Sequence, residues 1–275
     1  MPVIAVRTGT TLNYEISGSG EPLLLIMGTS GAIPLWGEMV PRLAETYRVI
    51  AFDNRGLGGS DRGTATISVA SLAEDASALL EALGVPRAHV LGWSLGSAIA
   101  QQLALTHPDQ VATAVMYATW ARADGFQRSV MSALRLPYVH RDMESALAAA
   151  GLAFSPQLLD HPDFAVMLEP MLPAFPQNED QMQVTVEQWD ADLAHDTLDQ
   201  LGGVTAPTLV VAMEQDLLTP PWQSKKVADA IPGARYELVT GPGSSHGLHI
   251  ERPEDLTKIV LDFLGEHPIG DRTGS

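Results

Sequence analysis

Ala88-His89-Val90-Leu91-Gly92-Trp93-Ser94-Leu95-Gly96-Ser97-Ala98-Ile99 decides the reading of this chain. A short apolar run ends at Gly92, the pentapeptide G-x-S-x-G follows at once, and a helical pattern then runs from Leu95 to Thr106. A strand that becomes a helix within one residue forces the corner residue into a strained backbone, and glycines two before and two after let the two elements approach. Ser94 occupies that corner. Its hydroxyl is expected to project from the carboxyl edge of a sheet, beside the positive end of the helix dipole. The pentapeptide alone is a weak signal, arising by chance in roughly one chain in ten of this length. Gly243-Ser244-Ser245-His246-Gly247 matches it too. That second match follows the loop Gly241-Pro242-Gly243 and stops a few residues before a helix start at Pro253, so Ser245 is read as a loop residue and Ser94 as the nucleophile.

Working outward, the same apolar run recurs. Leu23–Met27, Arg48–Phe52, Val111–Tyr117 and Thr208–Ala212 are continuous hydrophobic stretches, as strands buried on both faces should be. Val3–Val6 and Thr11–Ser17 read as shorter strands around a Thr-Gly-Thr turn, and Arg235–Val239 as the last. Helical patterns lie between them. Ser71-Leu72-Ala73-Glu74 has the form of a capping box with Gly84 as the stop, and Pro253-Glu254-Asp255 opens a helix reaching about Leu264. Strand alternating with helix predicts a mostly parallel sheet covered on both faces. The rhythm breaks from Ala121 to His195, a stretch with Met131, Met143, Met167, Met171 and Met182, and resumes at Thr208. The expected organisation is a core of residues 1–120 and 196–275 with a helical cap, 121–195, inserted after the sixth strand. The tail beyond Glu266 is expected to be frayed.

A serine hydroxyl is a poor nucleophile near neutrality and needs a base, which an acid must orient. With the nucleophile on a middle strand, acid and base are sought on loops after later strands, in the order Ser, acid, His. After Thr208–Ala212 come Glu214 and Asp216; after Arg235–Val239 comes His246, with His249 three residues on. Asp216 and His246 are the favoured pair, with Glu214 and His249 as their competitors.

Composition narrows the partners. A net charge of −17 repels phosphate backbones and anionic lipid, which disfavours nucleic acid and membrane surfaces and leaves a small-molecule substrate. No apolar run approaches the roughly 18 residues that span a bilayer, and the start, Met1-Pro2-Val3-Ile4, lacks the charged and apolar regions of a signal peptide. The absence of cysteine removes disulfides and thiolate chemistry and agrees with a cytoplasmic setting. No cluster at metal-ligand spacing and no phosphate-binding loop is present, so neither metal nor organic cofactor is expected.

With these residues in place the whole chain resembles the α/β-hydrolase superfamily. Gly92–Gly96 resembles its nucleophile elbow, Asp53-Asn54-Arg55-Gly56-Leu57-Gly58-Gly59-Ser60 its D-x-R-G-x-G-x-S turn, Asp216-Leu217-Leu218-Thr219-Pro220 its acid loop, and Ser245-His246-Gly247 its histidine loop. The resemblance implies an eight-stranded, mostly parallel sheet, a triad of Ser94, Asp216 and His246, and an oxyanion hole formed by the backbone N–H groups of Thr29 and Leu95. It departs at Met27-Gly28-Thr29, where the family usually has His-Gly; aclacinomycin-type methylesterases, similar over the N-terminal half, also have Met-Gly, and oxoadipate-type enol-lactonases are similar over the core. The implied activity is hydrolysis of a carboxylic ester or lactone through an acyl-enzyme on Ser94. A methionine-rich cap with more acids than bases suggests a neutral, lipophilic substrate, unless Arg122 or Arg128 anchors a carboxylate. The same fold also serves carbon–carbon bond hydrolysis, cofactor-free perhydrolysis, acyl transfer and ligand-binding receptors that keep the triad. A serine at the elbow argues against epoxide hydrolases and haloalkane dehalogenases, which use aspartate there.

Overall fold

The computed structural model describes residues 2–270. Eight strands form one sheet: β1 (Val3–Ala5), β2 (Thr11–Ser17), β3 (Pro22–Ile26), β4 (Arg48–Phe52), β5 (Ala88–Trp93), β6 (Val111–Tyr117), β7 (Thr208–Met213) and β8 (Arg235–Val239), in spatial order β1-β2-β4-β3-β5-β6-β7-β8. β1 and β2 pair antiparallel, as do β2 and β4; every later pairing is parallel. Parallel strands need crossovers, and helices supply them: α1 (Met39–Ala44), α2 (Val69–Ala82), α3 (Leu95–Thr106), α4 (Gly125–Val139), α5 (Met143–Ala150), α6 (Pro156–Leu159), α7 (Phe164–Leu168), α8 (Glu179–Ala194), α9 (Pro221–Ala230), α10 (Leu248–Glu251) and α11 (Pro253–Gly265).

Period two explains the two-sided core. In β3, Leu24 and Ile26 face one hydrophobic cluster with α2, α3 and α9, whereas Leu23 and Leu25 face a second with α1 and α11. Both faces are covered, which is why the central strands are apolar throughout. A buried ion pair between Arg55 and Asp75, each about 1% exposed, ties the loop after β4 to α2.

The helices α4 to α8 lie between β6 and β7, and the ends of that insertion meet: Arg122 and Asp196 form an isolated bridge, and the Thr197 N–H donates to the Ala121 carbonyl (3.0 Å). The insertion is not a separate body. Met131 and Leu134 of α4 and Met182 and Trp189 of α8 belong to the same cluster as α2 and α3.

Two local expectations are corrected. The cap of α2 is Ser68, not Ser71: the Ser71 N–H donates to the Ser68 hydroxyl, and the Ser71 hydroxyl, at the third helical position, receives the Ser68 N–H (3.0 Å). Serine replaces the usual Glu in that reciprocal pair, so the box lies three residues earlier than the Ser-x-x-Glu spacing indicated. The tail is docked as far as it is described, since His267 donates from Nδ1 to the Phe263 carbonyl (2.9 Å) and the Ile269 N–H donates to Glu21 (2.7 Å). Residues 271–275, the rest of the tail expected to fray, lie outside the described residues, as does Met1.

Candidate active site

Ser94 has φ 54° and ψ −121°, the strained corner that the strand-to-helix turn requires. The flanking glycines are steric necessities. A Cβ on Gly96 would stand 1.9 Å from the Ile26 carbonyl oxygen, and one on Gly92 would stand 2.2 Å from the Gly96 oxygen. Gly28 matters in the same way, because a Cβ there would press on Ser94 Cβ, Trp93 Cε3 and the Trp93 carbonyl at 3.2 Å. The loop after β3 is thereby brought against the elbow. Asn54, from the turn after β4, holds that strand end by donating to the Met27 carbonyl (3.1 Å).

The expected acid and base, Asp216 and His246, are joined. His246 Nδ1 lies 2.9 Å from Asp216 Oδ2 and 3.1 Å from Oδ1, both side chains being buried. Asp216 is fixed in turn: the Leu218 and Thr219 N–H groups donate to Oδ1 (2.8 Å each) and the Thr219 hydroxyl to Oδ2 (2.7 Å). This leaves His246 Nε2 for the cavity that Ser94 and His246 both line. Among the described residues neither the Thr29 nor the Leu95 N–H donates to another protein group. Thr29 lines the cavity; Leu95 buries its side chain in the core and presents its N–H at the first position of α3.

The competing residues are otherwise engaged. Glu214 accepts the Gly241 N–H (2.8 Å) at an exposed loop. His249, on α10, is buried between Trp36, Trp93 and Tyr117 and bonds the Tyr117 hydroxyl through Nδ1; burial lowers it to about 3, a neutral ring. Tyr117 is raised well above its ordinary value by burial, then by the Asp216 charge. The Ser245 hydroxyl donates to Glu251, whose carboxylate also takes the hydroxyl and N–H of Ser155, so histidine loop and insertion are clamped together.

Three residues of the site carried no sequence signal. Trp93, the residue before Ser94, donates from Nε1 to the His246 carbonyl (3.0 Å) and lies against the imidazole, with ring centroids 5.6 Å apart. Gln188 and Asp192 of α8 reach the loop after β3: the Ser30 N–H donates to Gln188 (2.8 Å) and the Thr29 hydroxyl to Asp192 (2.6 Å). Each needs a partner far away in sequence.

The cavity above Ser94 has a volume of about 70 Å³ and is walled by Leu134, Tyr138, Ala146, Phe154, Phe175 and Trp189 among others. The expected methionine wall is corrected here. Only Met171 of the five lines this cavity; Met131 and Met182 pack in the core, where unbranched thioethers fill gaps between α4 and α8, and Met143 and Met182 edge a separate groove. The alternative carboxylate anchors are elsewhere as well. Arg122 pairs with Asp196 and Asp199, and Arg128 donates to the Leu193 carbonyl, all in exposed positions. No charged Lys, Arg, Asp or Glu is among the cavity's described lining residues.

Residues 21–253 match the family model for the α/β-hydrolase fold. A protein from Azorhizobium caulinodans that carries the name carbamate hydrolase RutD is 32% identical, covering 93% of this chain and 95% of its own. One from Mycobacterium tuberculosis named non-heme bromoperoxidase BpoC is 31% identical over 92% and 97%. Among solved structures, the enol-lactonase from Burkholderia xenovorans LB400 superposes with a TM-score of 0.86 at 27% identity, covering 96% of this chain and all (100%) of that one.

Proposed function

Since the chain belongs to the α/β-hydrolase fold family, we propose that it is a serine hydrolase cleaving the ester or lactone bond of a neutral, lipophilic small molecule, with the insertion 121–195 as its cap. The observation that carries this reading is the meeting of three features in one cavity: a strained Ser94, the free side of a His246 imidazole oriented by Asp216, and an apolar lining without a charged carboxylate or cation. His246 Nε2 takes the Ser94 proton as Oγ attacks the carbonyl carbon, and Asp216 stabilises the imidazolium. The oxyanion then draws the N–H groups of Thr29 and Leu95, donors with no prior engagement to break. His246 returns the proton to the leaving oxygen, and water activated by the same imidazole releases the acid.

Ser94→Ala is expected to reduce turnover of p-nitrophenyl butyrate about a millionfold while the protein stays folded, and a serine-directed phosphonate should label wild type alone. A folded Ala variant keeping a tenth of the activity would overturn the assignment. Ser245→Ala should be nearly silent in the same assay.

The name of the Azorhizobium relative favours a second substrate class, carbamates, whose carbonyl the same serine could attack. A panel of matched butyrate esters, lactones and carbamates, ranked by kcat/KM, separates the two; carbamates ranking first would displace the ester reading.

A further inference from the structure

The loop after β3 has little to hold it in place by itself. Ser30 has φ 64°, a left-handed backbone unusual for serine, and among the described residues the one local backbone bond across the turn is a long one from the Gly31 N–H to the Gly28 carbonyl (3.3 Å). Asn54 holds its start at the Met27 carbonyl, and the polar groups of Thr29 and Ser30 themselves are held from the insertion. The Ser30 N–H is taken by Gln188, and the Thr29 hydroxyl is taken by Asp192. Gln188 and Asp192 are four apart, so both project from one face of α8. Each is buried, and each keeps a polar atom, Gln188 Nε2 and Asp192 Oδ1, without a partner among the described residues. Burying such groups costs free energy that packing alone does not require, which sets them apart from ordinary core residues.

We propose that Asp192 and Gln188 are positioning residues for the oxyanion loop, holding Thr29 and Ser30 so that the Thr29 N–H faces the carbonyl oxygen of the substrate. The inference rests on the reading of Thr29 as an oxyanion donor. Asp192 fixes the Thr29 side chain and Gln188 fixes the peptide that follows it, so the Thr29 Cα, to which the N–H is attached, is held on two sides. Burial raises the Asp192 carboxyl to about 7, so up to near neutrality it sits largely as a neutral acid and adds no negative charge beside the donors. An oxyanion donor misplaced by an ångström loses much of its effect on the transition state and little of its effect on ground-state binding. The insertion thus reaches the chemistry as well as the substrate.

The test is a double-mutant cycle on p-nitrophenyl butyrate hydrolysis at pH 6.5, with Asp192→Leu, Thr29→Val and their combination, circular dichroism and melting being recorded for each. Thr29→Val removes the hydroxyl but keeps the N–H. Each single variant is expected to lose about 10- to 100-fold in kcat with KM within about threefold, the double variant should be no worse than about threefold below either, and Asp192→Asn should recover kcat to within about threefold of wild type. Folded Asp192→Leu with unchanged kcat overturns the proposal, as do single losses that multiply in the double variant or an Asn variant no better than Leu. If Asp192→Leu does not fold, Thr29→Val against Thr29→Ser reads the same contact, and equal kcat in those two overturns it. Ser94→Ala is run alongside: its retention of activity would sink the serine-hydrolase reading itself, whereas its loss together with a wild-type-like Asp192→Leu would sink only the positioning role.

Discussion

At the level of single residues, the buried carboxyl of Asp192 links protonation to stability in a way that can be measured. Its ordinary value is 3.8 and its folded value about 7. Between these, the folded protein retains a proton that the unfolded chain has released, so stability is fullest at low pH and falls as pH rises towards about 7. From pH 5 to pH 7 the loss attributable to this group is about 2 kcal/mol, the slope of about 1.4 kcal/mol for each pH unit halving as pH reaches the folded value. Asp192→Asn keeps an acceptor for the Thr29 hydroxyl but cannot ionise. Its melting temperature relative to wild type is therefore expected to rise between pH 5 and about pH 7 and to level off above it, other groups cancelling in the difference. A gap that stays flat over that range would show that Asp192 is not titrating there. The neutral, buried His195 and His249, lowered by burial to about 4 and about 3, act in the opposite sense: their contribution is present above about 6.5 and is lost as pH falls below it.

At the level of elements, the elbow is a junction of three pieces of backbone, β3, β5 and α3, and its glycines are judged by what surrounds them. Gly96→Ala would drive a methyl group into the Ile26 carbonyl, an atom of a central strand that cannot swing aside, whereas a Cβ on Gly125 at the start of α4 meets nothing within 4 Å. The first substitution is expected to cost about 3 kcal/mol or more and the second less than about 1, as read by urea midpoints of the two variants. Equal midpoints would mean that the β3–α3 approach is looser than described. The buried pair between Arg55 and Asp75 serves α2 in the same way, joining it to the turn whose Asn54 restrains the end of β3. Arg55→Met leaves Asp75 an uncompensated buried charge and should destabilise by about 3–5 kcal/mol. Restoration by the partner change Asp75→Leu, measured in the double variant, would identify the unpaired charge as the cause; no restoration would point to lost packing instead.

At the level of the whole molecule, a net charge of −17 surrounds a cavity lined without cations, so two effects disfavour an anionic substrate: the long-range field and the apolar wall. They separate with salt. For two butyrate-type esters differing only in a terminal carboxylate, the kcat/KM ratio favouring the neutral one should shrink roughly three- to tenfold between low and high ionic strength, as the Debye length falls from about 30 Å to a few ångströms. A ratio indifferent to salt would assign the discrimination to the cavity wall alone, and a preference for the carboxylate would sink the neutral-substrate reading. Much of the framework is legible in the residues. Strand runs such as Leu23–Met27 and Thr208–Ala212 announce themselves because a strand buried on both faces has no polar positions to confuse the pattern, and Ser94 stands out because its corner demands glycine at two fixed spacings. Asp216 and His246 could be ranked by chain order, since parallel strands deliver their loops to one edge. The capping box of α2 was displaced by three residues because serine can replace Glu in it, and that choice is settled by backbone geometry. The contacts of Trp93, Gln188 and Asp192, and the packing of Met131 and Met182 in the core, were decided only in three dimensions. Gln188 and Asp192 depend on which face α8 presents to a loop some 160 positions away, and local sequence periodicity specifies a face without naming what it will meet.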